Sequence, residues 1–318
     1  MLEANIPVDP VADLVDVLNL KRISETEFLG RTQWMPHGRV FGGQVLSQAL
    51  TAAQLTVQEG RNVHSLHSYF LRPGDVKKEI RFSVEVLRDG RSFSARRIHA
   101  LQDDVPIFSM IASFQDPDGG IEHQDQIPQN VPNPVTLPSA MEILGTLDHP
   151  AAKYWSNARP FDIRHVEDPL YLKPANPKTS SQMIWFKTLS ELPDNQRLHE
   201  AALAYASDYS ILEPILRQAG LFWAHPGLSS ASLDHAMWFH RPAKADQWLL
   251  YVQESPSSQG GRGLSLGKIF DQRLVVKGLA DQDFLFLGLE LLGCAIGQPL
   301  AVRRAVVQCR VAGSTKLR

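Results

Sequence analysis

At 318 residues the chain is long enough for two cores of roughly 150 residues each, and a formal charge of −2 gives no support to a polyanion-binding role. Its 43% apolar and 21% charged residues are the balance of a globular protein. The two cysteines, Cys294 and Cys309, form neither a disulfide framework nor a metal-ligand spacing, and they suit a reducing compartment.

The first ten residues carry acids and prolines where a secretory leader needs a basic start and an unbroken apolar run, so secretion is not expected. Residues 40–57 then place Val45, Leu46, Ala49, Leu50 and Ala53 on one face at helical spacing, just after Gly42-Gly43. This predicts a helix packed by one apolar stripe. Between residues 79 and 115, Ile80, Phe82, Val84 and Val86 alternate with Arg81, Ser83 and Glu85, and Asp89-Gly90 and Asp103-Asp104 mark turns. That spacing predicts an antiparallel meander with one buried face.

Residues 119–177, rich in Pro, Gln, Asn and Asp, read as a linker crossing the surface, with short helical patches such as "SAMEIL". The order of elements then repeats. A helix is expected in "NQRLHEAALAYASDYSILEPIL", followed by strands at "QWLLYVQESP", "GLSLGKIFD" and "RLVVKGLADQ", with a turn at Ser257 to Gly261. One phrase is written twice: Tyr69-Phe70-Leu71-Arg72-Pro73 returns as Trp238-Phe239-His240-Arg241-Pro242. A helix followed by antiparallel strands, twice, predicts an α+β fold in which each sheet curls around its own helix and the two half-sheets join edge to edge. The most apolar window, 284–302, carries Glu290, Gln298 and Pro299, so no membrane span is expected.

Few residues announce chemistry on their own. Gly263-Leu264-Ser265-Leu266-Gly267 matches the nucleophile-elbow pattern, but Lys268-Ile269-Phe270-Asp271 continues a strand and no histidine follows His240. Ser265 is therefore expected to be an edge or turn serine of a meander. Asp208 lies in an apolar helical run, where a carboxylate either faces solvent or serves as a functional acid. Ser232 reads as a turn hydroxyl and Gln282 as a structural amide. His67 and His235, beside the two copies, fit either acid–base work or satisfied positions at a strand edge. Metal-dependent and nucleotide-dependent motifs are missing, and no cofactor is expected.

"GRVFGGQVLSQAL", "VHSLHSYFLRPGD", "LRDGRSFSARRIHALQ", "PIFSMIASFQ" and "SLDHAMWFHRP" together resemble the type II acyl-CoA thioesterases, the TesB-like family that includes peroxisomal members, over about residues 18–271. The resemblance implies a double hotdog, with units at 1–118 and 178–283, the linker at 119–177 between them and a divergent tail at 284–318. It implies an acyl-CoA substrate, hydrolysed to free acid and CoA, and assembly into a homo-oligomer through the hotdog sheets. Asp208 in "YASD" takes the place of the family's catalytic acid, and Ser232 that of its hydroxyl. Gln282 takes the glutamine place when counted from Gly267-Lys268-Ile269, whereas anchoring on Leu274-Val275 would put Ala280 there. These residues would hold and deprotonate a water against the thioester carbonyl, with a backbone N–H at a helix start for the oxyanion. Gly42, Gly43, Gln44, His67 and Arg72 are the candidate substrate-facing residues, Arg72 with Lys77 and Lys78 forming either a phosphate contact or a solvated basic face. The alternative is a double hotdog that binds acyl thioesters without turnover. A peroxisomal or cytoplasmic address is expected, the chain ending one Arg beyond a Ser-Lys-Leu-type signal.

Overall fold

The computed structural model describes residues 6–272 and the backbone of 276–286. Helix α1 (Pro10–Leu18) starts on Asp9, whose carboxylate accepts from the Val11 and Ala12 N–H groups, with Pro10 in the first turn. Strands β1 (Lys21–Arg22) and β2 (Glu27–Gly30) lead into α2 (Gly42–Gln54), then β3 (Asn62–Phe70), β4 (Ile80–Asp89), β5 (Phe93–Gln102) and β6 (Val105–Gln115). The β5–β6 turn is Asp103-Asp104, both residues at positive φ (51° and 61°), which matches the twist of a two-residue hairpin.

Alternation along β4 buries Ile80, Phe82 and Val84 as expected. Val86 departs from the pattern and is 49% exposed, at the point where the strand bulges between Val86 and Arg88. The single apolar stripe expected of α2 is also exceeded. Gln44, Ser47, Gln48 and Gln54 are buried along with Val45, Leu46, Ala49, Leu50 and Ala53, since sheet strands contact the helix and a second helix packs against it.

The stretch expected to cross the surface is only partly a surface segment. It contains α3 (Ala140–Leu144), α4 (Pro150–Lys153), one π-helical turn (Tyr154–Ala158) and strand β7 (Phe161–His165). Tyr154, Arg159, Phe161, Ile163 and Tyr171 are buried there. Its Pro and Asn content masked aromatic residues that pack inward. Strand β8 (Ser181–Thr188) pairs with β7, and the expected boundary at residue 178 falls between the two.

Helices α5 (Gln196–Ser207) and α6 (Glu213–Ala219) divide the run expected as one helix. Strands β9 (Ser230–Ser232), β10 (Asp234–Phe239), β11 (Leu249–Gln259), β12 (Arg262–Asp271) and β13 (Val276–Phe286) complete the order. Ser265 lies within β12 as the strand reading required, but β12 runs between β11 and β13 and the serine is fully buried, so it is neither an edge nor a turn residue. The remainder of the divergent tail, 287–318, lies outside the described residues, and with it both cysteines.

All these strands form one sheet in the order β1-β2-β4-β5-β6-β3-β10-β13-β12-β11-β8-β7, with β9 on β13. The order reads alike from both ends: β10 answers β3, β13 answers β6, and α5 answers α2. At the joint the repeated phrases pair with each other. Tyr69 opposes Asp234 and Ser65 opposes Trp238, so moving each residue by the offset that relates Arg72 to Arg241 turns one pair into the other. That is the register a local two-fold axis produces. The architecture is the expected α+β double hotdog, two helices each wrapped by half of a continuous antiparallel sheet.

Candidate active site

Helices α2 and α5 run antiparallel against each other at the centre of the molecule. At one end Arg197 of α5 donates from Nη1 to the Gln54 carbonyl (2.7 Å) and from Nη2 to that of Gln58 (2.7 Å), while the Gln54 amide donates to Glu200 (2.8 Å). At the other end the helices approach closely. A β-carbon on Gly43 would lie 2.4 Å from the Tyr205 carbonyl oxygen and 2.5 Å from the Phe41 ring. Only glycine fits that contact.

One residue earlier, the space a Gly42 side chain would take is held by a carboxylate. Asp208 Oδ2 lies 2.6 Å from that β-carbon position, and the Phe70 ring lies 3.1 Å from it. Asp208 is the C-cap of α5, half-buried, so its carboxylate sits against the start of α2. The α2 N-cap, Phe41, supplies no side-chain acceptor, and Phe41 O receives the N–H groups of Gln44 and Val45. The first N–H groups of a helix have no partner within it, so an uncapped start beside a carboxylate offers donors and an acceptor to whatever enters between them.

The neighbours of Asp208 are fixed by hydrogen bonds. Ser207 Oγ donates to Ala204 O (2.8 Å) and meets His235 Nε2 at 3.0 Å; with its proton committed, the serine accepts from Nε2–H. His235 is fully buried, its own carbonyl accepting from Ser68 Oγ (2.8 Å), which ties α5 to both joint strands. Tyr251 Oη donates to Ser207 O (3.2 Å). Burial pushes the Tyr205 and Tyr209 hydroxyls on either side well above their ordinary pKa.

Gly42, Gly43 and Asp208 thus come together. Ser232 lies half-buried at the end of β9, and the carbonyl of the next residue, Leu233, accepts from Phe70 N (2.9 Å), the residue whose ring borders Gly42. Gln282 opposes Ser265 in β13, and its side chain lies outside the described residues. Gln44 is turned away from the acid and braces the entry to α2. Its Oε1 accepts from Gln33 N, and its Nε2 donates to Arg31 O and Gln48 Oε1. His67 and Arg72 are not brought to Asp208. His67 is exposed, edge-on to Trp238 at 5.2 Å, and exposed Arg72 donates to Pro106 O (2.7 Å).

Sequence reading missed a fully buried carboxylate on α6. Glu213 is desolvated, which alone would raise its pKa, yet the His165 ring, with hydrogen bonds from His165, Trp223 and Gln182, holds it down to about 2. Its signal was present in "ILEPIL", an acid among aliphatic residues like Asp208.

Comparison with known proteins covers both halves. The family described as acyl-CoA thioesterase matches residues 161–283, and the acyl-CoA thioesterase N-terminal domain matches residues 31–115. Acyl-CoA thioesterase 2 of Haemophilus influenzae is 37% identical over 269 residues, covering 83% of this chain and 93% of the relative. Human acyl-coenzyme A thioesterase 8 is 38% identical over 280 residues, covering 83% and 87%. The crystal structure of the acyl-CoA thioesterase II TesB2 from Mycobacterium marinum superposes with a TM-score of 0.71 at 39% identity, over 87% of this chain and 99% of that one.

Proposed function

The chain belongs to the acyl-CoA thioesterase family, and from that premise we propose that it hydrolyses fatty acyl-CoA to free acid and CoA at the junction of α2 and α5. The reading rests on one observation, the Asp208 carboxylate lying 2.6 Å from the Gly42 side-chain position at the uncapped start of α2. Asp208 stands where the general base for an attacking water must stand, with N–H donors of the facing helix within the same small space. Asp208 takes the proton as water attacks the thioester carbon. The oxyanion is met by the first-turn N–H groups of α2, and collapse expels the thiolate of CoA. Ser232 and Gln282 hold the water with Asp208. The first half contributes the helix start, and the second contributes the acid.

Release of free thiol from acyl-CoA tests this directly. Asp208→Asn is expected to lower turnover by about 10²–10⁴-fold in a chain that stays folded. Unchanged turnover removes Asp208 from the mechanism, and acyl-CoA binding without thiol release by the wild-type chain supports a binding protein instead. Homo-oligomerisation belongs to the same proposal: Ile111 and the Tyr69 ring on the outer face of the central strands are 43% and 58% exposed. Light scattering on the purified chain decides it. No helix among the described residues is long and apolar enough to cross a membrane. A peroxisomal or cytoplasmic address is tested by fractionation, since Thr315 to Arg318 lie outside the described residues.

A further inference from the structure

Eight side-chain polar atoms among the described residues are buried without a hydrogen-bond partner, and five of them gather in one place: Trp34 Nε1, Tyr154 Oη, Arg159 Nε, Tyr171 Oη and Tyr209 Oη. Arg159 is at their centre. Its guanidinium carbon lies 4.6 Å from the centre of the Tyr209 ring, 5.6 Å from that of Tyr154 and 5.9 Å from that of Trp155. Trp155 packs on Tyr171 at 5.3 Å, and Trp34 meets Tyr154 at 6.3 Å.

A buried guanidinium normally has a counter-charge, because desolvating it otherwise costs several kcal/mol. Arg159 is only 8% exposed and forms no ion pair among the described residues. Of the nearby acids, Asp162 pairs with Arg164, Glu213 holds His165, Trp223 and Gln182, and Asp208, close enough to act on the Tyr154 hydroxyl, sits against the start of α2. Arg and Trp only donate, and each Tyr hydroxyl can donate. Among the described residues the guanidinium therefore has aromatic rings around it and no paired carboxylate. A cavity of about 140 Å³ borders the cluster at Trp34 and Tyr154, and is lined also by Ala158, Tyr205 and Asp13, whose oxygens are taken up by Arg31 and Gln33.

We infer that Arg159, Tyr154, Tyr171 and Tyr209 form a carboxylate-binding site that receives the acid released by the hydrolysis. The identity of the carboxylate as product rests on the proposed activity. The site itself does not. Tyr209 follows Asp208 directly in the chain, and its ring stacks on Phe41 (4.7 Å), the residue before Gly42. The carboxylate formed beside Asp208 would be repelled by that acid, and a cation one side chain away draws it off. Guanidinium and hydroxyl donors together suit the two oxygens of a carboxylate.

Thermal melts of the whole chain read binding without any turnover. Titration with acetate and butyrate, at constant ionic strength set by chloride, is expected to raise the wild-type Tm by about 5 °C near 100-fold above Kd, and to leave Arg159→Met unmoved. Tyr154→Phe, which keeps the ring, is expected to weaken the carboxylate effect several-fold and serves if the Arg159 variant does not fold. An equal rise in Arg159→Met, no rise at all, or an equal rise with inorganic phosphate overturns the carboxylate site. In the thiol-release assay, inhibition by added free acid is expected to weaken at least 10-fold in Arg159→Met. A carboxylate-dependent Tm shift with unchanged inhibition would refute the product assignment while leaving the site, and a chain that releases no thiol would refute the activity alone.

Discussion

Replacing Gly42 by alanine tests the site without touching an ionisable group. The new methyl carbon would lie 2.6 Å from Asp208 Oδ2, against an ordinary contact of about 3.5 Å, so the carboxylate must retreat by about 1 Å. The Phe70 ring at 3.1 Å hinders the methyl from moving the other way. A carboxylate oxygen at the end of a side chain can yield by rotating, so the fold is expected to lose no more than about 1 kcal/mol, partly offset by alanine's better helix propensity. Catalysis has no such latitude. A displacement of about 1 Å at a reacting group costs on the order of 10²-fold, so kcat should fall about 100-fold while Tm moves by less than about 4 °C. Thiol release and a melting curve on the same preparation measure both. Turnover within threefold of wild type would show that the carboxylate is not required beside the start of α2, and would sink the proposed mechanism.

Gly43→Ala should behave oppositely, since its methyl meets the Tyr205 carbonyl at 2.4 Å and backbone cannot rotate away; the expected result is a loss of roughly 3 kcal/mol or a chain that does not fold, read by urea denaturation. Burial raises the Glu200 pKa from 4.5 to about 7, against hydrogen bonds from Gln196 and Gln54 that lower it. The folded state therefore keeps a proton the unfolded chain gives up. Stability is lost as pH rises from about 4.5 to about 7, by about 3 kcal/mol, and Glu200→Gln should flatten that fall; parallel curves for variant and wild type would contradict it. Glu213, held down to about 2, works in reverse: its stabilisation is present above pH 4.5 and fades toward pH 2, so Glu213→Gln should cost about 3 kcal/mol at pH 7 and little at pH 2.

The plan of the molecule was legible because duplication writes its signature at the joint. The repeated phrase lies on strands β3 and β10, which hold the same place in the two halves and pair with each other at the joint. Asp208 was legible as an acid in a costly position, though not its contact with Gly42, which depends on two helices far apart in sequence meeting at glycines. His67 stands apart from Asp208 for a local reason. A bulge between Val63 and Ser65 shifts the alternation of β3, burying Leu66 and Ser68 and turning His67 outward. Arg159 was hidden in a segment whose prolines and polar residues suggest a linker, because composition averages over the few aromatic residues that pack.

The clasp of Arg197 on the end of α2 has an electrical consequence. The peptide dipoles of α2 sum to partial negative charge at Gln54 and partial positive charge at Gly42. The second half places a guanidinium on the first pole and a carboxylate against the other. A half whose helix ends on Leu55, where α5 ends on Asp208, thus supplies an oriented field across the thirteen residues of one helix. The local two-fold axis that sets α2 and α5 antiparallel is also what fixes which pole of that field meets Asp208.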